Sequence, residues 1–132
     1  MVHPFADLIG LVFETQDQGM SLCRVEVHEK LYNPQFVIHG AILYALADTG
    51  MGGALYPLLE QDEFCATVEI KISYFQAVRS GSIECATRLI SKGKTIAHLE
   101  SEIRNAGHLV AKASGSFSIF RPNQDRKGRE TA

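Results

Sequence analysis

Asn33, His39, Gly40 and Asp48 fall in the spacing N-x5-HG-x7-D, and they are the residues of this 132-residue chain whose types and order could do chemistry together. From Gly40 to Leu59 the chain has one carboxylate, Asp48, and neither Lys nor Arg. An ionisable group in so apolar a run is costly unless it has partners or a task. A helix that starts at Gly40 would also present unpaired amides at its N-terminus, where an anion can be held. The glycine, having no side chain, leaves room for close approach to that amide. A carboxylate farther along the helix can act as a general base or as a nucleophile.

The elements that must carry these residues follow from the hydrophobic pattern. Apolar and small residues on almost every side of Gly40–Leu59 predict a buried central helix. Its length approaches that of a membrane span, but central Asp48, Gly50, Gly52, Gly53 and Pro57 argue against one. Before the helix, Phe5, Leu8 and Ile9 suggest an inward-facing helical turn, Leu11–Glu14 a short strand, and residues 16–19 a turn. Ser21, Cys23, Val25 and Val27 alternate along a half-buried strand over Met20–His28. Pro34 keeps Asn33 extended, so residues 32–38 form a loop into the helix. After it, strands are expected at Thr67–Phe75, Ser82–Ile90, Thr95–Arg104 and Leu109–Phe120, with turns at Lys92–Lys94 and Asn105–Gly107. The fold class is therefore α+β: a long central helix wrapped by a curved antiparallel sheet of five to six strands. One domain over residues 1–120 is expected, with a disordered polar tail over 121–132.

Composition narrows the partners. A net charge of -2 without a basic run in the folded part argues against nucleic acid. Cys23, Cys65 and Cys85 are an odd, dispersed set that reads as reduced thiols, and no secretion signal is visible, so a cytoplasmic protein without a membrane span is expected. His3, His28, His98 and His108 lack ligand spacing, so no metal is expected.

The run Asn33, His39-Gly40 and Ala45-Leu46-Ala47-Asp48, with Thr67–Phe75, the basic Gly turn at Lys92–Lys94 and Gly107–Ala111, resembles the hotdog-fold acyl-CoA thioesterases of the PaaI type over about residues 5–120. The resemblance implies hydrolysis of an acyl-CoA to a free acid and CoA, with no cofactor beyond the coenzyme A of the substrate. It implies that Asn33 positions water or the carbonyl and that Thr67 orients the water or Asp48. His39 would support the loop near the thioester or cap the helix. Lys92, Gly93 and Lys94 could meet the coenzyme A phosphates, or form a solvated hairpin tip. Ala41 stands where many relatives have a second Gly, and its methyl beside the helix entrance would narrow the substrate site or shift the thioester.

Gly40 suits the task of oxyanion donor and Asp48 that of base or nucleophile, but they are eight residues apart. At about 1.5 Å per residue that is roughly 12 Å along the axis, whereas reacting atoms must come within about 3.5 Å. If both act on one carbonyl, each must come from a different subunit, which predicts a homodimer with composite sites. The resemblance adds pairing of dimers into a homotetramer. Two other readings are a non-catalytic acyl-CoA binding module and a hotdog hydratase or dehydratase. The catalytic His loop and the short Asp-to-His spacing of the latter are missing.

Overall fold

A computed structural model of the protein describes residues 2–122. A short helix, α1 (Pro4–Ile9), leads into strands β1 (Val12–Asp17) and β2 (Met20–Glu26). The long helix α2 (Gly40–Leu55) follows, then β3 (Phe64–Tyr74), β4 (Ser82–Lys92), β5 (Ile96–Asn105) and β6 (His108–Phe120). All six strands form one antiparallel sheet in the order β1-β2-β4-β5-β6-β3, so β1 and β3 are its edges. The expected helix wrapped by a curved sheet is what the chain forms.

Helix α2 is defined at both ends by its sequence. His39 is extended and its ring accepts from the Ala41 amide, which caps the first turn. Pro57 ends the helix by way of a 3-10 turn over Tyr56–Leu58. Leu46, Met51 and Leu55 are fully buried against the sheet. Each such side chain contributes about 1.5–3 kcal/mol by leaving water. A polar seam runs through this contact: Ser21 Oγ donates to the Gly50 carbonyl at 2.6 Å, and Thr87 and Ser101 share a hydrogen bond of 2.7 Å. Gly50 is required there, because a Cβ would lie 2.7 Å from Thr87 Oγ1. Cys23 and Cys85 face each other across β2 and β4 as buried free thiols, and the neighbouring thiol together with burial pushes Cys23 up.

The expectation of a helix buried on all sides needs correction. Ala41, Tyr44 and Tyr56 are exposed and Asp48 is half-buried, so one flank of α2 is open. That flank is apolar enough to pass for core in sequence, because composition alone does not distinguish an apolar face that is covered from one that is exposed.

Strand β3 carries a bulge at Val68: Thr67 pairs with Phe117, while Glu69 pairs with Ser116. The extra residue changes which side successive residues face. Strict alternation would put Thr67 on the opposite face from Ile70 and Ile72. With the bulge, Thr67 reaches the helix while Ile70 and Ile72 still pack on the core.

Other sequence expectations shift more modestly. Strand β1 runs to Asp17, leaving a tighter turn at Gln18 and Gly19, where Gly19 has φ 80°. In α1 it is Ala6 and Ile9 that are buried, whereas Phe5 and Leu8 are exposed. The expected disordered tail lies outside the described residues except for Arg121 and Pro122. Arg121 is held, pairing with Glu60 and Asp62 at 2.8 Å each.

Candidate active site

Asp48 and Thr67 meet. Thr67 Oγ1 donates to Asp48 Oδ1 at 2.5 Å, a charge-assisted contact that leaves Oδ2 free. They share a cavity of about 780 Å³ whose walls are mostly apolar, including Phe13, Tyr56 and Phe117. Phe13 presses on Gly53 so closely that a Cβ there would lie 2.5 Å from its ring. Cys65 lines the same cavity, and burial pushes its thiol up, with the charge of Asp48 acting in the same direction. A thiol held protonated in this way is a poor nucleophile beside the carboxylate.

At the other end of α2 the amides are sorted by the cap. The Ala41 amide donates to His39 Nδ1 at 2.9 Å and the Ile42 amide to the His39 carbonyl at 2.9 Å. The Gly40 amide has no acceptor among the described residues, so it is the amide of the first turn left to meet a ligand. Because Nδ1 of His39 accepts, the neutral ring carries its proton on Nε2 and can donate outward. Tyr74 Oη donates to the Gly40 carbonyl at 2.9 Å, and a Cβ on Gly40 would lie 3.2 Å from the Tyr74 ring. Burial pushes the Tyr74 hydroxyl up, with Tyr44 adding to the shift, so Tyr74 stays a donor. Gly40 and Tyr74 line a separate cavity of about 330 Å³ with Leu43 and Phe75.

The remaining sequence candidates take these places. Asn33 closes its own loop: Oδ1 accepts from the Gln35 amide at 2.9 Å and from the Val37 amide at 3.5 Å. Phe36 sits in that loop at φ 61°, a left-handed conformation for a bulky side chain. This fixes the Asn33 amide and leaves its Nδ2 as a donor. The Ala41 methyl is exposed on the open flank of α2. Lys92 and Lys94 are exposed on a third cavity of about 600 Å³, with Glu60, Glu63 and Arg121 on the same wall. Those carboxylates blunt the positive potential a phosphate needs. Gly93 closes the turn by donating to the Ile96 carbonyl at 2.8 Å.

A single chain thus brings Asp48 to Thr67 and His39 to Gly40, and the three cavities share no residue. Tyr74, Phe13 and Gln16 escaped the sequence reading. Nothing in a strand pattern marks Tyr74 as the residue that will lie over the helix entrance. Among the described residues no helix is long and apolar enough to cross a membrane, and no three His, Cys, Asp or Glu side chains converge as metal ligands would.

A long helix wrapped by a six-stranded antiparallel sheet, with a capped N-terminus and a carboxylate farther along, is the hotdog fold. Solved structures agree. A conserved protein from Pseudomonas aeruginosa superposes with a TM-score of 0.84 at 31% identity, covering 91% of this chain and 96% of its own. A mutant of the phenylacetic acid degradation protein PaaI from Thermus thermophilus shares the fold at a TM-score of 0.82 and 23% identity, covering 88% of this chain and 98% of its own.

The chain belongs to the thioesterase superfamily, whose family model matches residues 36–112. A second Pseudomonas aeruginosa protein, provisionally named an esterase, is 31% identical over 118 residues, 88% of each chain. The 1,4-dihydroxy-2-naphthoyl-CoA hydrolase of Listeria monocytogenes is 24% identical over 89 residues, 67% of this chain and 72% of its own.

Proposed function

We propose that this protein hydrolyses an acyl-CoA thioester to a free carboxylic acid and coenzyme A, in a site shared by two copies of the chain. The observation that carries the proposal is the Thr67–Asp48 contact in an apolar cavity, on the same helix as an unpaired amide that lies out of reach. Asp48 Oδ2 accepts a proton from water as the water oxygen attacks the thioester carbonyl carbon. Thr67 holds the other carboxylate oxygen and so fixes the direction from which the proton leaves. The carbonyl oxygen becomes an oxyanion, stabilised by the Gly40 amide of the partner subunit, with Asn33 Nδ2 and His39 Nε2 as further donors. Collapse of the tetrahedral intermediate breaks the carbon–sulfur bond. The CoA thiolate leaves and takes the proton held on Asp48, which restores the carboxylate, and the acid departs from the cavity.

The two-subunit site follows from the roughly 12 Å that separates Gly40 from Asp48 on one helix. Edge strand β3 is suited to the contact: it is long, and Phe64, Val68 and Tyr74 are exposed on it. A homodimer is the smallest unit that completes the site, and pairing of dimers into a homotetramer is the further assembly we propose. Lys92 and Lys94 lie where a basic turn could meet the coenzyme A phosphates, and their acidic neighbours make this a weak contact. The similarity to a CoA-ester hydrolase supports an acyl-CoA over another thioester.

Free-thiol release from a panel of acyl-CoAs, measured with the native oligomer, tests the reading. Turnover by the wild-type protein and its loss in Asp48→Asn are expected. Tight acyl-CoA binding without thiol release would instead identify a binding module, and hydration of an enoyl-CoA would identify a hydratase.

A further inference from the structure

Two peptide planes meet at the entrance of α2, and one of them is held at both ends. In the plane joining Gly40 to Ala41, the Ala41 N–H donates to His39 Nδ1 and the Gly40 carbonyl accepts from Tyr74 Oη, each at 2.9 Å. In the preceding plane, joining His39 to Gly40, the carbonyl accepts from the Ile42 amide at 2.9 Å and the N–H is the unpaired one. The two bonds that involve His39 are local. Tyr74 reaches Gly40 across 34 positions of sequence.

A glycine that must aim its amide needs such an outside hold. It has no Cβ to restrict φ and ψ, and rotation about its own bonds turns the N–H away from the place where an oxyanion forms. Tyr74 touches it twice: the hydroxyl bonds the carbonyl, and the ring lies where a Cβ on Gly40 would be only 3.2 Å away. Tyr74 is itself anchored. It is the last residue of β3, paired with Ala111 on β6, and the Phe75 amide that follows donates to the Val110 carbonyl at 2.7 Å. The sheet fixes the ring, and the ring fixes the glycine.

We infer that Tyr74 is a positioning residue for the proposed hydrolysis: its hydroxyl holds the Gly40 carbonyl and thereby fixes the direction in which the Gly40 amide meets the oxyanion. It acts through Gly40, not on the reacting atoms, and the inference rests on Gly40 being the oxyanion donor. A hydrogen bond weakens steeply as it bends, and the penalty is greatest in the transition state, where the charge on the carbonyl oxygen is developing. A Tyr74 that only supported the fold would change how readily the protein unfolds and leave the chemical step alone.

The test compares the wild-type protein with Tyr74→Phe, which keeps the ring against Gly40 and removes the donor, both as native oligomers. In thiol release from the acyl-CoA that the wild type turns over fastest, kcat is expected to fall about fivefold, the net weight of one hydrogen bond, with KM little changed. Water can reach the half-exposed Tyr74 site and stand in partly for the lost hydroxyl, which keeps the loss modest. Nitrogen relaxation of the unliganded protein should show the Gly40 amide gaining mobility in the variant while the Ile42 amide, bonded to His39, does not. In a Gly40→Pro background, where no amide is left to orient, Tyr74→Phe should cost nothing further. Unchanged kcat in an active protein overturns the inference and leaves the thioesterase reading standing. So does a fivefold loss that persists in Gly40→Pro, or one without any change at the Gly40 amide, because Tyr74 then acts by another route. A wild-type protein without turnover, in which Tyr74→Phe still frees the Gly40 amide, removes the thioesterase reading and leaves the hold of Tyr74 on that amide in place.

Discussion

At its N-terminal end α2 offers an unpaired amide and no acid; eight residues on, it offers an acid and no unpaired amide. The two ends also differ in how they are held. The entrance is organised by local bonds, with His39 capping Ala41 and Asn33 closing a loop of a few residues. The Asp48 region is organised at long range, by Thr67 on an edge strand and by Phe13 and Gln16 on the opposite edge. A donor site can be built from a few consecutive residues because its working parts are backbone amides. A positioned carboxylate needs the whole sheet around it.

The largest effect should come from the acid end. Asp48→Asn and Asp48→Ala are expected to lower turnover by about 10²-fold or more, the range for removing a general base, with far-ultraviolet circular dichroism unchanged. Near-wild-type kcat in both variants would end the assignment.

The donor end can be disabled with similar selectivity. Gly40 is the first residue of α2, a position that tolerates proline, and extended His39 is already in the conformation a following proline prefers. Gly40→Pro therefore removes the unpaired amide, and Gly40→Ala, which adds the same Cβ 3.2 Å from the Tyr74 ring, measures the crowding alone. A fall of about 10²-fold in kcat is expected from losing one oxyanion donor, against a much smaller effect of Gly40→Ala, which keeps the amide. Equal losses in the two variants would assign Gly40 to packing against Tyr74 alone.

Combining the two lesions asks whether the ends belong to different subunits. Co-refolding Asp48→Asn with Gly40→Pro in equal amounts should restore about a quarter of wild-type activity, since half the dimers are mixed and each mixed dimer has one intact site. No recovery beyond the sum of the separate variants, with mixed dimers verified by mass spectrometry, would place both residues in one subunit's site or in none.

Smaller effects separate positioning from capping. Thr67→Val should lower kcat roughly tenfold, equivalent to about 1.4 kcal/mol, with KM little changed. His39→Ala should destabilise the fold by about 1 kcal/mol through the lost cap, seen as a lower denaturation midpoint. An unchanged midpoint would show that the ring contributes nothing to holding the helix.

The same division explains what was legible in the sequence. The helix, the hairpin at Asn105–Gly107 and the succession of strands along the chain were legible because they follow from short-range chemistry, whereas the pairing of β2 with β4 and of β3 with β6 was not. Ala106 and Gly107 both have positive φ, as a two-residue hairpin requires. The Val68 bulge was not legible, since Thr67 and Ile70 reach one face through a register change that only pairing with β6 produces. Nor was the open flank of α2, or the placing of Phe13, Gln16 and Tyr74 against the helix. These depend on how distant segments close around it, and the spacing that singled out Asp48 and Gly40 carries no information on the walls between.

The uncovered edge of β3 has a consequence for any chain that pairs through it. Eleven residues of strand end the sheet there, with backbone groups open to pairing and apolar side chains beside them. A lone chain would carry a template for indiscriminate strand addition. Association with its own copy would then act as a quality-control step, and lesions that weaken it should surface first as insolubility in the cell, ahead of any loss of rate in the molecules that remain soluble.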